Sequence, residues 1–396
     1  MKKISTQGNF TSRAFSLFIG FILLSITLIA GEIQVTNGKT EVRFTSGQYQ
    51  SLSVTSTISS MQFRDVLTNS GTFTEFYIKD YGYSNVVGDP KLPIFHKLIE
   101  VPLNAEFQIE LSDLVYKDYD LASLGIINPV IPAQPPVSKN VTDPGQLPFI
   151  YNTATYQQNQ FLGGDLIKVI PAGIMRSVNL ARIDISPVEY NPVSGKLRIY
   201  ESITVKVVFK NADVAGTINL KKQAYSIYFN NLYNQLPNYT QAPDSLITNA
   251  PVTYVIVAPS SYQAALQPLV SWKKKKGFKV IQAYTGNPSV GTTVASIKAY
   301  LTGLYNSPPA GYAKPSFVLF VGDIAQIPPS STANGHPSDL YYCEYTGDFI
   351  PEVFYGRYSA ASSLARSIVS VNDGPTSPIQ PTALLLLAAM SASSRL

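Results

Sequence analysis

The chain has 396 residues, which is long enough for two or three domains with large apolar cores. Charged residues make up 14% of it and aromatic residues 11%, with 28 Pro and 25 Gly, which favours β-rich, turn-rich architecture and disfavours a helical bundle or a disordered chain. The net charge is +5, and its densest cluster, Lys273 to Lys276, falls on a predicted helix end, so no nucleic-acid partner is expected. The single cysteine excludes an internal disulfide framework.

Residues 1–31 have the pattern of a secretory signal, because basic residues precede an apolar stretch at 14–30. An uncleaved membrane anchor is the alternative, since the apolar stretch is long and the small-residue cleavage pattern is only half met. Either interpretation exports the chain and limits membrane contact to this segment.

Residues 32–245 predict a β-rich domain. Alternating apolar and polar residues, as at 105–111 and 203–209, are separated by Asn, Gly and Pro turns. No group of catalytic residue types occurs there, and His96 is predicted to be structural because its neighbours are apolar.

Three segments of this domain predict connections. Residues 191–195 predict a hairpin loop, with Pro fixing φ and Gly supplying a left-handed position. The proline-rich run 129–148 predicts a crossing loop or an edge connection, since proline is excluded from central strands. Residues 212–252 are interpreted as an interdomain linker.

From residue 250 the pattern changes to alternating strands and helices, which predicts a parallel sheet with right-handed crossovers. The strands are predicted at 253–258, 278–283 and 317–321, and the intervening helices at 260–276 and from Thr292 or Thr293 onward. Gly277 is the predicted stop of the first helix. The first strand is not followed by GxGxxG and no Walker loop occurs, which excludes dinucleotide and nucleoside triphosphate binding.

The segment 316–360 contains the candidate site residues. Asp323 directly follows the third strand, and ligands bind at the carboxyl ends of strands in open α/β sheets. Asp348 leads into a further β-like run, and the two carboxylates are expected to form a local cluster of oxygen ligands. His336 and Cys343 lie between them in the sequence.

The ordered series YVIVAP, LVSWKKKKGFKV, FVLFVGDIAQIPP, SDLYY and EVFYGRYSA resembles the start of the catalytic domain of the gingipain family of cysteine endopeptidases. GDPKLPIFHKLIEVPLNAEF, at 88–107, resembles that family's propeptide. The resemblance implies a β-rich N-terminal propeptide domain followed by a partial α/β caspase-like domain with a mainly parallel sheet. It also implies an exported zymogen that acts on proteins or peptides and whose pro-region covers its own or a related protease domain.

The resemblance further implies structural calcium. One site is expected from the Tyr345 carbonyl, Asp348, the Ile350 carbonyl and Glu352, and a second from Asp323 with later residues. Carboxylates and carbonyls at near-alternating positions suit a hard cation. The alternative is that Asp348 makes an Asx-type turn and Glu352 is solvated.

The family's catalytic pair, a His in Gly-His-Gly and a later Cys, lies beyond the position of Tyr358. His336 stands in Asn-Gly-His-Pro, and Cys343 is followed by Glu344, whose negative charge raises a thiol pKa. His336 and Cys343 are therefore poor substitutes for that pair. We expect an inert cysteine that is buried or half-buried.

The predicted organisation has four segments. They are a signal peptide at 1–31, a propeptide-like domain with linker at 32–245, a partial catalytic domain at 250–372, and a divergent low-complexity tail at 373–396 interpreted as a truncated or frameshifted ending. The expected function is a secreted or cell-surface gingipain-like cysteine endopeptidase precursor, inactive because the family's His and Cys are absent. The alternative is a non-catalytic secreted protein, either an inhibitory pro-region that binds a protease or a surface-binding module.

Overall fold

The structure is a computed structural model that describes residues 30–138, 141–241, 251–332 and 335–359. The described strands are β1 (Ala30–Gln34), β2 (Glu41–Ser46), β3 (Ser51–Thr57), β4 (Ser60–Thr68), β5 (Gly71–Tyr77), β6 (Gly82–Tyr83), β7 (Pro93–Glu100), β8 (Glu106–Asp120), β9 (Ile167–Met175), β10 (Val178–Ile185), β11 (Val188–Asn191), β12 (Lys196–Lys210), β13 (Thr253–Ala258), β14 (Lys279–Tyr284), β15 (Pro315–Val321), β16 (Ser330–Ser331), β17 (Pro337–Ser338) and β18 (Phe354–Tyr358). The described helices are α1 (Thr153–Tyr156), α2 (Val214–Ala224), α3 (Asn230–Tyr233), α4 (Gln263–Lys275) and α5 (Val294–Asn306). We call residues 30–241 the β-rich part and residues 251–359 the α/β part.

The β-rich part contains three antiparallel sheets, ordered β1-β4-β5, β6-β7-β10-β9 and β11-β12-β3-β2, with β8 along the other side of β12. Alternate residues of β3 are buried, as the period of a half-buried strand requires. Val54 and Val205 share one core with Ile99 and Ile183, so two of the sheets pack face to face. The predicted loop at 191–195 joins β11 to β12, and Gly195 has φ +59°.

The structure confirms the prediction for one connecting segment, 129–148, and contradicts part of the prediction for the other, 212–252. The described residues of 129–148 form no strand, as the prolines predicted. Val130 and Pro132 form isolated bridges, and Ile131 and Ala133 add backbone hydrogen bonds to neighbouring segments. The linker interpretation is wrong for residues 214–224 and 230–233, which form α2 and α3. Asp213 caps α2 through a hydrogen bond from the Gly216 amide, and Tyr233 of α3 is buried against the β9–β10 region.

The α/β part is built on a parallel sheet ordered β14-β13-β15-β18. Val255 and Val257 face α5, whereas Tyr254 and Ile256 face α4, so the two helices cover opposite faces. Thr293 is the N-cap of α5 and forms a capping box with Ser296, which settles the predicted start of this helix. Gly277 follows α4 with φ +89°, as its role as a stop requires.

The predicted signal segment lies outside the described residues up to residue 29, and Ala30 and Gly31 belong to β1, which pairs with β4. The predicted tail at 373–396 also lies outside the described residues. Across the described ranges, no helix is both long enough and apolar enough to cross a bilayer.

Candidate functional site

Asp323 and Asp348, which were expected to form one cluster, lie at opposite edges of the parallel sheet. Asp323 is at the carboxyl edge, where the strands end, and Asp348 is at the amino edge, where they begin. Asp323 follows the carboxyl end of β15, whereas Glu352 precedes the amino end of β18, and Phe317 pairs with Phe354. Because a strand rises about 3.3 Å per residue, the two edges are roughly 20 Å apart. The expected local cluster of Asp323 with Asp348 is therefore wrong, since Asp348 lies beside Glu352.

Thr346 connects two of the predicted calcium ligands in the loop before β18. Its Oγ1 is 2.9 Å from both Asp348 Oδ2 and Glu352 Oε1. Asp348 Oδ1 accepts a hydrogen bond from the Ile350 amide at 2.9 Å, which is the Asx-type turn of the alternative interpretation. Glu352 is fully buried and is not the solvated acid that this alternative required.

Glu344 is a third acid of this loop, in addition to the expected calcium ligands. Its Oε1 accepts hydrogen bonds from the Gly347 and Asp348 amides, and the residue is 9% exposed. The three acids Glu344, Asp348 and Glu352 are spaced every four residues, and this spacing is the sequence pattern that could have indicated Glu344 as part of the site. We call residues 344–352 the acidic loop.

Burial raises the pKa of Glu352 to about 7. Hydrogen bonds from the Tyr345 amide and the Thr346 hydroxyl oppose this rise in pKa, and the negative charges of Asp348 and Glu344 reinforce it. A buried carboxylate beside two other acids is stabilised by a cation, and carboxylate oxygens are the ligands that calcium prefers.

The acidic loop contains oxygen atoms of the kind that calcium binds, but its carboxylates do not converge on a single position. Among the described residues, no three His, Cys, Asp or Glu side chains are grouped so that they could hold a metal ion. Calcium at Tyr345, Asp348, Ile350 and Glu352 therefore stays a prediction that requires the carboxylates to turn toward the ion. The predicted second site at Asp323 also stays a prediction, and that carboxylate accepts a hydrogen bond from the Ile324 amide.

Cys343 and His336 are in unlike surroundings. Cys343 is fully buried in the core beneath α5, and burial and the charge of Asp339 raise the pKa of its thiol well above the usual range. His336 is exposed in the β16–β17 connection, where its amide donates to Thr332 Oγ1. Cys343 is therefore buried, and its lack of reactivity stays a prediction. His96 pairs with Asp184 at 2.7 Å across the β7–β10 ladder, which is a structural role.

The β9–β10 hairpin of the β-rich part reaches the acidic loop. The Ile174 amide donates to Asp348 Oδ2 at 2.6 Å. Gly173 has φ +128°, and a Cβ at this position would lie 2.6 Å from the same oxygen. Only glycine permits this approach of the hairpin to the acidic loop.

Arg176, in the turn of this hairpin, is 1% exposed and lies between the two parts. Its guanidinium donates to the carbonyls of Pro315 and Glu352, the latter at 3.1 Å. Beside it, Ser226 and Ser316 hydroxyls are 2.9 Å apart across the same boundary. The β-rich part is therefore docked on the amino edge of the parallel sheet.

Aromatic rings extend this contact. Phe229 of the β-rich part lies 4.4 Å from Phe354 between ring centroids, and Tyr228 lies 4.8 Å from Phe317. Edge-to-face and offset ring pairs contribute about 1 kcal/mol each beyond the area that they bury.

The fold defines a protein of two docked parts, one strand-rich and one built on a parallel α/β sheet. Comparisons with known proteins identify its family. Residues 33–235 match the family Propeptide_C25, and residues 247–369 match Peptidase family C25. The chain therefore belongs to the gingipain-type cysteine peptidases, as a propeptide with the N-terminal region of the catalytic domain. We call residues 33–235 the pro-region.

Similar proteins come from Porphyromonas gingivalis. Lys-gingipain is 34% identical over 356 residues, which cover 88% of this chain and 20% of that protein. Gingipain R2 is 26% identical over 335 residues, which cover 81% of this chain and 42% of that protein. A solved structure that concerns the zymogenic latency of gingipain K is also similar, with 30% sequence identity and a TM-score of 0.44. The alignment covers 46% of this chain and 100% of that chain. The chain thus spans about a fifth of the length of Lys-gingipain.

Proposed function

We propose that the chain is the precursor form of an exported gingipain-type cysteine endopeptidase. In this precursor the pro-region binds the first portion of a caspase-like peptidase domain. The observation that supports this most directly is the contact of the β9–β10 hairpin with the acidic loop, where the Ile174 amide meets Asp348. Helices on both faces of a parallel sheet support the caspase-like assignment.

We infer that residues 1–396 by themselves are latent, that is, without peptidase activity. A cysteine nucleophile must be accessible and readily ionised, whereas Cys343 is buried and its pKa is raised. The gingipain resemblance puts the family's His and Cys beyond the position of Tyr358. Cys343 and His336 therefore have no catalytic role in this proposal.

The proposed setting is outside the cytoplasm, either secreted or at the cell surface, after export through the signal at residues 1–31. The partners are the chain's own or a related protease domain through the pro-region, and proteins or peptides as substrates of the complete enzyme. Calcium at the acidic loop is proposed as a structural ion that neutralises Asp348 and Glu352 and fixes the start of β18.

Latency is tested with the purified chain under reducing conditions and with calcium, using fluorogenic peptides cleaved after Lys or Arg. We expect no thiol-dependent turnover, and Cys343→Ala should give the same baseline. Turnover that disappears in Cys343→Ala would contradict the proposal. Tight inhibition of a mature gingipain by the added chain, without turnover, would favour the alternative function as a protease-binding protein.

A further inference from the structure

Arg176 differs from the other arginines of the described residues. Five others each form an ion pair with a carboxylate, namely Arg43, Arg64, Arg182, Arg198 and Arg357. Arg176 is more deeply buried than any of them, yet in the described part of the chain its hydrogen-bond acceptors are all backbone carbonyl oxygens. A buried cation that donates to no carboxylate is costly unless its surroundings are arranged to receive it, and here the nearby charge of Glu352 also favours it.

The acceptors match the fork of a guanidinium group. Nη1 donates to the Pro315 and Glu352 carbonyls, Nη2 to the Lys314 carbonyl at 3.2 Å, and Nε to the Ala224 carbonyl at 2.6 Å. Three of these four carbonyls belong to the amino ends of β15 and β18. An ammonium group has no planar fork and cannot satisfy this set.

Aromatic rings complete the surroundings of the cation. The guanidinium carbon lies 5.7 Å from the ring centroid of Tyr305, at the end of α5, and 5.3 Å from that of Phe229. Both distances are within the range of favourable cation–π attraction. The α/β part therefore contributes three carbonyls and one aromatic ring to a single cation-binding position.

The backbone of Arg176 is held in an unfavourable conformation. Its φ is +54°, in the left-handed region that non-glycine residues rarely occupy. Such a conformation persists where surrounding contacts outweigh its cost. The turn between β9 and β10 is thus shaped to deliver the side chain into the α/β part.

We propose that the amino edge of the parallel sheet carries a guanidinium-binding pocket, formed by the Lys314, Pro315 and Glu352 carbonyls and the Tyr305 ring, which Arg176 fills within the same chain. The pro-region is consequently anchored at the edge opposite Asp323. Ligands of open α/β sheets bind at the carboxyl edge, so this anchor and any blocking of the catalytic edge are separate functions of the pro-region.

The test is rescue of the full chain carrying Arg176→Ala by a free guanidinium compound. The substitution should lower Tm by roughly 10 °C, because buried carbonyls lose their donor. Millimolar methylguanidinium should recover part of this loss in a saturable manner, and methylammonium should not. Arg43→Ala is the control, since that side chain is 73% exposed, and its Tm should respond to neither compound.

Equal effects of the two compounds on Arg176→Ala, or a wild-type Tm in that variant, would overturn the pocket. If the variant does not fold, refolding is repeated with each compound, and recovery with methylguanidinium alone supports the pocket whereas recovery with neither overturns it. Arg176→Lys should melt close to Arg176→Ala, because charge without the fork does not suffice. The inference rests on the proposed precursor function, but its thermal readout is independent of the peptidase assay, so the two can fail separately.

Discussion

Replacing Gly173 with alanine tests the contact between the β9–β10 hairpin and the acidic loop. A new Cβ would lie 2.6 Å from Asp348 Oδ2 and 2.7 Å from its Cγ, so the carboxylate must move away from the Ile174 amide. Losing a hydrogen bond to a charged group costs about 2 kcal/mol. Placing a side chain at φ +128° adds about 1–2 kcal/mol of backbone strain. The expected loss of stability is therefore about 3–4 kcal/mol.

Gly71 provides a matched control for the strain. It has φ +124°, and no atom lies within 4 Å of the point that its Cβ would occupy, so Gly71→Ala should cost only the strain of about 1–2 kcal/mol. Calorimetric melting of both variants measures the difference, which should be about 2 kcal/mol. In an Asp348→Ala background, the excess cost of Gly173→Ala should shrink. Equal losses in Gly173→Ala and Gly71→Ala would refute the contact.

Three further predictions concern the acidic loop and Cys343. With a chelator present, wild type should lose roughly 3 kcal/mol of stability between about pH 5 and about pH 8, and Glu352→Gln should not. Stability falls as pH rises because burial raises the pKa of Glu352 from 4.5 in the unfolded chain to about 7 in the folded one. The contribution of Glu352 to stability is therefore complete below the unfolded pKa and is lost as pH rises through the folded pKa. If denaturant unfolding gives the two proteins parallel profiles of stability against pH, this prediction is wrong. Calorimetric calcium titration should show binding by wild type, and Asp348→Asn or Glu352→Gln should weaken this binding at least tenfold. Asp323→Asn should retain binding at the acidic loop. No binding by wild type would reject the site. Native Cys343 should resist an aromatic disulfide reagent until the protein is unfolded, and rapid labelling of the native thiol would contradict its burial.

Local patterns were sufficient to predict the strands and helices of the α/β part. The strands predicted at 253–258, 278–283 and 317–321 correspond to β13, β14 and β15, and the Thr293 cap and Gly277 stop lie where the sequence suggested. These features depend on residues that are neighbours in the sequence, so the sequence alone is enough to predict them. The helix α2 was missed because Asp213, its capping residue, stands in a polar stretch of low hydrophobic periodicity. No side-chain cap precedes α3.

The site was predicted less completely because it depends on strand direction and on contacts between distant segments. Asp323 follows one strand and Glu352 precedes a strand parallel to it, so the two residues must lie at opposite edges of the sheet. The sequence pattern therefore contained this separation, although the two sites were predicted to be close. The contact of Ile174 with Asp348 joins residues 174 positions apart, and no local pattern encodes it. The burial of Arg176 likewise depends on carbonyls from three other segments.

The central claim is that the pro-region is docked on the amino edge of the peptidase sheet, and an engineered disulfide tests it most directly. The Ser226 and Ser316 hydroxyls are 2.9 Å apart across the boundary, so cysteines at both positions, in a Cys343→Ala background, should be close enough to form a disulfide on mild oxidation. Peptide mapping should find the 226–316 link within one chain. A matched pair at Ser226 and Ser338 on the opposite edge should remain reduced. Free thiols at 226 and 316 after oxidation of the folded protein would contradict the docking.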